Sequence, residues 1–252
     1  MNGANGANEA LELSSLETGY ETALIEPLNL YCEGGEITAV LGSNGRGKTA
    51  LLRTIAGALR PLGGKITFSG DFGYVPQLFT SHFSYTALDI VLMGRARHIN
   101  LFSLPSENDI EIARQSLRQL DILDLAHRSF NTLSGGQRQM ILIARALATQ
   151  SKLLLLDEPT GALDLQNQSV VLKLLKSLAK NTKMNIFFST HEPTQALLIA
   201  DNTLLFLPEK KWLFGKTGGI LTEDNLRRAY GVKIKFAALP GGGRALVPEF
   251  EL

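Results

Sequence analysis

Short apolar runs with no polar face alternate along this chain with stretches in which apolar residues recur every three or four positions. Ile37-Thr38-Ala39-Val40-Leu41, Leu153-Leu154-Leu155-Leu156 and residues 185–189 read as strands buried on both faces. Ile110, Ala113, Leu117 and Leu120 recur at helix spacing, as do Met140, Ala144 and Leu147. Val171, Leu174, Leu175 and Leu178 predict one apolar face on a helix over residues 166–179. Helix starts are marked by Pro105-Ser106 with Glu107 and Asp109, and by Ser134 with Gln137 as its capping-box partner. Buried strands alternating with helices predict an α/β fold around a parallel sheet covered on both faces. Residues 11–41 break their apolar runs with Gly19, Pro27, Gly34 and Gly35, which predicts a small β-rich unit before residue 42. Short extended runs are expected at residues 65–69 and 72–75. Beyond about Thr203 the pattern weakens to short strands and a helix over residues 222–230.

Composition narrows the function. Lys and Arg number 25 against 24 Asp and Glu, a net charge of +1, so no strong field recruits nucleic acid or an anionic membrane. Cys32 is the single cysteine; it excludes an internal disulfide framework and a cysteine-rich zinc site, and reads as a small hydrophobe. His82, His98 and His127 have no partners at metal-ligand spacing and read as surface or structural. The start, MNGANGANEA, has neither a basic region nor an apolar core, so residues 1–10 are expected to be a disordered leader rather than a secretory signal. Leu153 to Leu156 is far too short to span a bilayer. A soluble chain is expected, held at any membrane by other subunits.

The chemistry gathers at strand ends. Gly42-Ser43-Asn44-Gly45-Arg46-Gly47-Lys48-Thr49 fills the pattern G-x-x-x-x-G-K-[ST] directly after an apolar strand and before a helix opening at Ala50. Backbone N–H groups there can wrap a phosphate at a helix N-terminus, Lys48 can reach the outer phosphates, and Thr49 can take one place on Mg²⁺. Arg46 departs from the small residue commonest at its position. Asp157, at the tip of a buried strand, can hold Mg²⁺ through water; Glu158 can orient a water and accept its proton, and Pro159 is expected to push Glu158 into an extended conformation. In parallel sheets ligands sit at the carboxyl ends of strands, where the phosphate loop, Asp157-Glu158 and His191 all fall. Leu133-Ser134-Gly135-Gly136-Gln137 forms a second exposed helix start. One nucleotide cannot easily place its outer phosphate on both starts of one chain, so two chains facing head to tail are expected.

LSGGQ, with the phosphate loop upstream and LLLLDEP downstream, resembles the ATP-binding subunit of an ATP-binding cassette (ABC) transporter over nearly the whole chain. The resemblance implies a P-loop NTPase of the ABC ATPase fold. Its parts would be a RecA-like parallel-sheet core, an N-terminal antiparallel β subdomain and a helical subdomain inserted at about residues 80–150. The ATP-binding domain would span residues 11–235, with a tail over residues 236–252. It further implies that Gln77 senses Mg²⁺ and the outer phosphate, that Asp164 communicates across the dimer, that His191 contacts the outer phosphate, and that Tyr20 stacks on adenine. ATP and Mg²⁺ are the implied ligands. The implied partners are a second copy of the chain, separate transmembrane permease subunits at the cytoplasmic face of the membrane, and a substrate-binding protein.

Residues 87–95, Ala-Leu-Asp-Ile-Val-Leu-Met-Gly-Arg, and the stretch Ile220-Leu221-Thr222-Glu223-Asp224-Asn225-Leu226-Arg227-Arg228-Ala229-Tyr230-Gly231-Val232 resemble importers of iron–siderophore, haem, cobalamin and related metal compounds, with molybdate importers similar. A bacterial exporter subunit is the main alternative. A soluble ABC ATPase acting on nucleic acid or ribosomes lacks its usual second cassette, coiled-coil insertion or zinc cysteines here, and a P-loop kinase or GTPase leaves LSGGQ unexplained.

Overall fold

Strands with no polar face need cover on both sides, and the computed structural model supplies it. It describes residues 10–77, 83–100, 103–238 and 244–249. The first strands are β1 (Leu11–Glu17), β2 (Leu28–Cys32) and β3 (Ile37–Leu41), followed by α1 (Lys48–Ile55), β4 (Gly63–Thr67) and β5 (Phe72–Val75). Helices α2 (Ala87–Leu92), α3 (Glu107–Arg118) and α4 (Gly135–Ala148) come next. Then β6 (Leu153–Asp157), α5 (Leu165–Thr182), β7 (Asn185–Thr190), α6 (Pro193–Ile199), β8 (Asn202–Phe206) and β9 (Trp212–Lys216) alternate. The chain closes with α7 (Thr217–Ile220), α8 (Glu223–Tyr230), β10 (Lys233–Ala238) and β11 (Arg244–Glu249).

The central sheet has the order β5-β6-β7-β3-β8-β9. Its strands run parallel except β9, which pairs antiparallel with β8 at the edge. Every residue of β3, β6, β7 and β8 is buried, as a sheet covered on both faces requires. One face packs on α4, α5 and α6 through Leu41, Ile141, Leu156, Leu175 and Ile186. The other packs on α1 and on a separate antiparallel sheet, β2-β1-β4, through Leu13, Leu28, Leu51, Val40 and Phe206. The α/β class agrees with the sequence pattern and the N-terminal antiparallel sheet with what the resemblance implies, although that sheet takes in β4 from beyond residue 42 and leaves β3 to the central sheet.

Between β5 and β6 the chain forms a helical unit in which α2 and α3 pack on α4. Capping boxes at Thr86/Asp89, Ser106/Asp109 and Ser134/Gln137 start these helices. Arg95, in a 3-10 turn after α2, donates from Nε to Asp109 Oδ1 at 3.0 Å and from Nη1 to the Ala148 carbonyl at 2.9 Å, tying the unit together.

Several bounds differ from expectation. The helix expected over residues 166–179 runs from Leu165 to Thr182, because Asp164 caps it and Lys183, at φ 57, ends it. The run expected at residues 65–69 pairs as Gly63–Thr67, drawn back by its antiparallel register with β1. Thr222 caps α8 rather than belonging to it. The tail expected from residue 236 starts inside β10, so part of it is one arm of the β10–β11 hairpin. His82 and most of the expected leader, residues 1–9, lie outside the described residues.

Candidate functional site

The phosphate-loop pattern starts where β3 ends. Gly42 has φ 147, and a Cβ there would stand 2.9 Å from the Phe206 Cβ, so the exit from the sheet requires glycine. Gly47, at φ 98, leads into α1, whose first-turn N–H groups have no partner within the helix. Tyr20, Leu24, residues 44–50, Gln77 and Glu158 enclose a cavity of about 270 Å³.

Lys48 is buried at its floor. Its Nζ donates to the Gly42 carbonyl at 2.7 Å and the Ser43 carbonyl at 3.3 Å, and lies 3.9 Å from Glu158 Oε1. Burial pulls its pKa below the ordinary lysine value, while the charges of Glu158 and Asp157 oppose that shift. An oxyanion in the cavity would give this ammonium a charged acceptor in place of loop carbonyls.

Glu158 is the meeting point. Gln77 Nε2 donates to its Oε2 at 3.1 Å, and His191 Nδ1 stands 3.6 Å from the same oxygen. Its backbone is not extended, contrary to the expectation from Pro159: φ is 48, in the left-handed region. Holding a non-glycine residue there costs about 1–3 kcal/mol. Two bonds offset that cost. The Glu158 N–H donates to Ser189 Oγ at 2.9 Å, and its carbonyl accepts from the Gly161 N–H at 3.1 Å. The chain thereby turns sharply off β6, and the Glu158 carboxylate faces the cavity rather than following the strand.

Asp157 is buried behind it. Its Oδ1 accepts from Ser189 Oγ at 2.6 Å, while Oδ2 has no hydrogen-bond partner among the described residues. A buried carboxylate oxygen left unpaired calls for an explanation, and a hard cation supplies one. With the Thr49 hydroxyl on the cavity wall, the available donors are all oxygen, a set that fits Mg²⁺.

The remaining expected residues divide by position. Asn44, Gly45 and Ala50 line the cavity, and so does Arg46, whose Nη1 also reaches the Leu207 carbonyl at 3.4 Å. Tyr20, 60% exposed at the rim, is not a core tyrosine, and its ring is free to meet a ligand. Ser43 turns away, its Oγ donating to the Ala229 carbonyl of α8 at 3.0 Å. Ser134, Gly135, Gly136 and Gln137 are not on the cavity wall; they start α4 elsewhere on the surface, with open space around Gly135. Asp164 is exposed and occupied in capping α5 through the Asn167 N–H at 2.8 Å. A single chain therefore assembles the loop, Gln77, Asp157, Glu158 and His191, and leaves residues 134–137 and Asp164 outside.

Sequence reasoning missed Leu24, which shares the rim with Tyr20, and Ser189, which bonds to both acidic residues. Leu24 carries no signal in the sequence. Ser189 carries a faint one, a hydroxyl ending the apolar run Ile186-Phe187-Phe188.

Residues 25–161 match the family model described as ABC transporter. The molybdate import ATP-binding protein MolC of Haemophilus influenzae is 50% identical over 221 residues, covering 87% of each chain. An iron chelatin transport ATP-binding protein of Helicobacter pylori is 34% identical over 235 residues, covering 87% of this chain and 92% of the relative. A solved structure described as a metal-chelate type ABC transporter, in an inward-facing conformation, superposes with a TM-score of 0.90 at 45% identity, over 97% of this chain and 99% of the other.

Proposed function

This chain belongs to the ABC transporter family, and on that premise we propose that it hydrolyses ATP to drive import through separate transmembrane subunits. The observation that carries the chemistry is the convergence of Lys48, Gln77 and His191 on Glu158 at the mouth of a phosphate loop. The relatives' names support import over export, and among cargoes the higher identity to MolC puts molybdate ahead of iron chelates.

In the proposed mechanism the triphosphate lies along residues 42–49, where backbone N–H groups and Lys48 hold its outer phosphates. Tyr20 offers its exposed ring to the base at the rim. Thr49 and Asp157 would hold Mg²⁺, which when bound neutralises charge on the outer phosphates. Glu158 accepts the proton of the attacking water, and His191 stands beside that carboxylate to support it. Gln77 occupies Glu158 Oε2 in this structure and is released to the phosphate as the site fills. Hydrolysis needs a second copy. Residues 134–137 and Asp164 lie on the surface of one chain, so a head-to-tail partner would bring its own Ser134, Gly135 and Gly136 to the open side of the phosphate.

The membrane partner would dock on the helical unit after Gln77. Tyr85, Leu92, Met93, Ala96 and Ile99 line a groove of about 610 Å³ there, open to the surface and mainly apolar. No helix among the described residues is long and apolar enough to cross a membrane. Because the proposed reaction consumes ATP, we place the chain at the cytoplasmic face, where ATP is supplied, with a substrate-binding protein delivering cargo from the other side.

Lys48→Ala should abolish nucleotide binding. Glu158→Gln should retain binding, lower turnover by about a hundredfold or more, and accumulate an ATP-bound dimer. Equilibrium binding, phosphate release and size-exclusion chromatography with ATP read these outcomes. Wild-type turnover in Glu158→Gln would refute the general-base assignment. Uptake of molybdate against iron chelates, by the chain purified with its membrane partners, decides the cargo.

A further inference from the structure

Ser189 stands in register with Asp157 across the parallel pair β6–β7, with its side chain fully buried. An ionised carboxylate only accepts hydrogen bonds, and a backbone N–H only donates. The single hydroxyl proton of Ser189 therefore goes to Asp157 Oδ1, at 2.6 Å, and its oxygen accepts from the Glu158 N–H, at 2.9 Å. One hydroxyl thus holds both acidic residues, in opposite senses. On Asp157 it occupies one carboxylate oxygen and leaves Oδ2 without a partner among the described residues. On Glu158 it anchors the backbone at φ 48, a conformation uncommon for a residue with a side chain. The preceding strand positions, Phe187 and Phe188, are apolar and can do neither.

We propose that Ser189 is a positioning residue for the nucleotide chemistry, keeping Asp157 Oδ2 available to a divalent cation while fixing Glu158 at the cavity. The inference rests on the function proposed above. A serine that only filled space in the strand would affect stability and leave the metal dependence alone.

Ser189→Ala deletes both bonds, and Ser189→Cys keeps the shape with a weak donor and acceptor. In the full chain, three measurements separate the roles: nucleotide affinity in EDTA, Mn²⁺ affinity in the presence of nucleotide by electron paramagnetic resonance, and the half-saturating Mg²⁺ concentration for hydrolysis. Ser189→Ala should weaken Mn²⁺ binding and raise half-saturating Mg²⁺ by about tenfold or more, as expected when a metal ligand loses its outer partner, with affinity in EDTA within about twofold of wild type. Ser189→Cys should fall between, and it decides by the same measurements if the alanine variant does not fold. Unchanged metal dependence, or an equal loss of affinity in EDTA, overturns the inference and leaves Ser189 a packing residue. A wild-type chain without metal-dependent hydrolysis would instead overturn the functional reading.

Discussion

Cys32 shows what burial does to a single group. Its thiol lies in β2, fully buried, 3.4 Å from the Thr38 hydroxyl. Desolvation pushes its pKa from 9.0 up to about 12, against the smaller opposing effect of the Thr38 hydrogen bond. Because the folded value is the higher one, the contribution to stability is complete below pH 9.0 and is lost as pH rises towards 12. The folded protein should leave a thiol reagent unreacted at neutral pH and react fully on denaturation. Unfolding experiments above pH 9.0 should show wild type losing stability faster than Cys32→Ala. Equal pH slopes would show that the thiol is not the titrating group.

At the scale of elements, one polar junction adds to the apolar packing of the helical unit. Asp109 accepts from the Ser106 N–H at 3.0 Å, closing the capping box of α3, and also from Ser106 Oγ at 2.6 Å and Arg95 Nε at 3.0 Å. The Ser106 hydroxyl first, and then the Arg95 guanidinium, hold the carboxyl below its ordinary value of 3.8. A depressed carboxylate stabilises the fold above that ordinary value, and the contribution disappears as pH falls through the lower folded-state value. Asp109→Asn should therefore melt earlier than wild type at neutral pH. The gap should close as the medium is acidified below pH 3.8, followed by circular dichroism on heating. A gap independent of pH would assign the loss to packing.

Across the whole molecule, the nucleotide cavity and the proposed docking groove are lined by different residues, and Gln77, on the cavity wall, precedes the helical unit in the chain. Coupling between the two is conformational, so a change in the groove should separate hydrolysis from transport. Ala96 is exposed on the groove wall and takes no part in a capping box. Ala96→Arg should leave ATP turnover of the protein without its membrane partners within about twofold of wild type, since surface substitutions away from special features change little. It should abolish uptake by the assembled transporter in proteoliposomes. Lost nucleotide binding in this variant would refute the groove as a docking surface.

Much was legible in the sequence because the signals are local. A phosphate loop is built by consecutive residues, so Gly42, Lys48 and Thr49 announce it wherever the chain goes next. Capping boxes close within one turn, so Ser106 and Ser134 mark their helices without help from the rest of the fold. The periodicity of residues 166–179 likewise announces a helix, though the bounds Leu165 and Thr182 depend on the Asp164 cap and on Lys183 at φ 57. What lay beyond reach is set by distance in the chain. Glu158 was expected to be extended because Pro159 follows it. It is left-handed because a hydroxyl 31 residues away takes its N–H. The exposed ring of Tyr20, the Ser43 contact with α8 and the Asp157 oxygen left without a partner among the described residues share that origin. The phosphate cradle and the alternation that makes a parallel sheet are written in neighbouring residues, since backbone geometry and hydrophobic period act over a few positions. The presentation of Asp157 and Glu158 comes from the assembled sheet, because their conformation depends on the strand placed beside them, with Ser189 opposite Asp157.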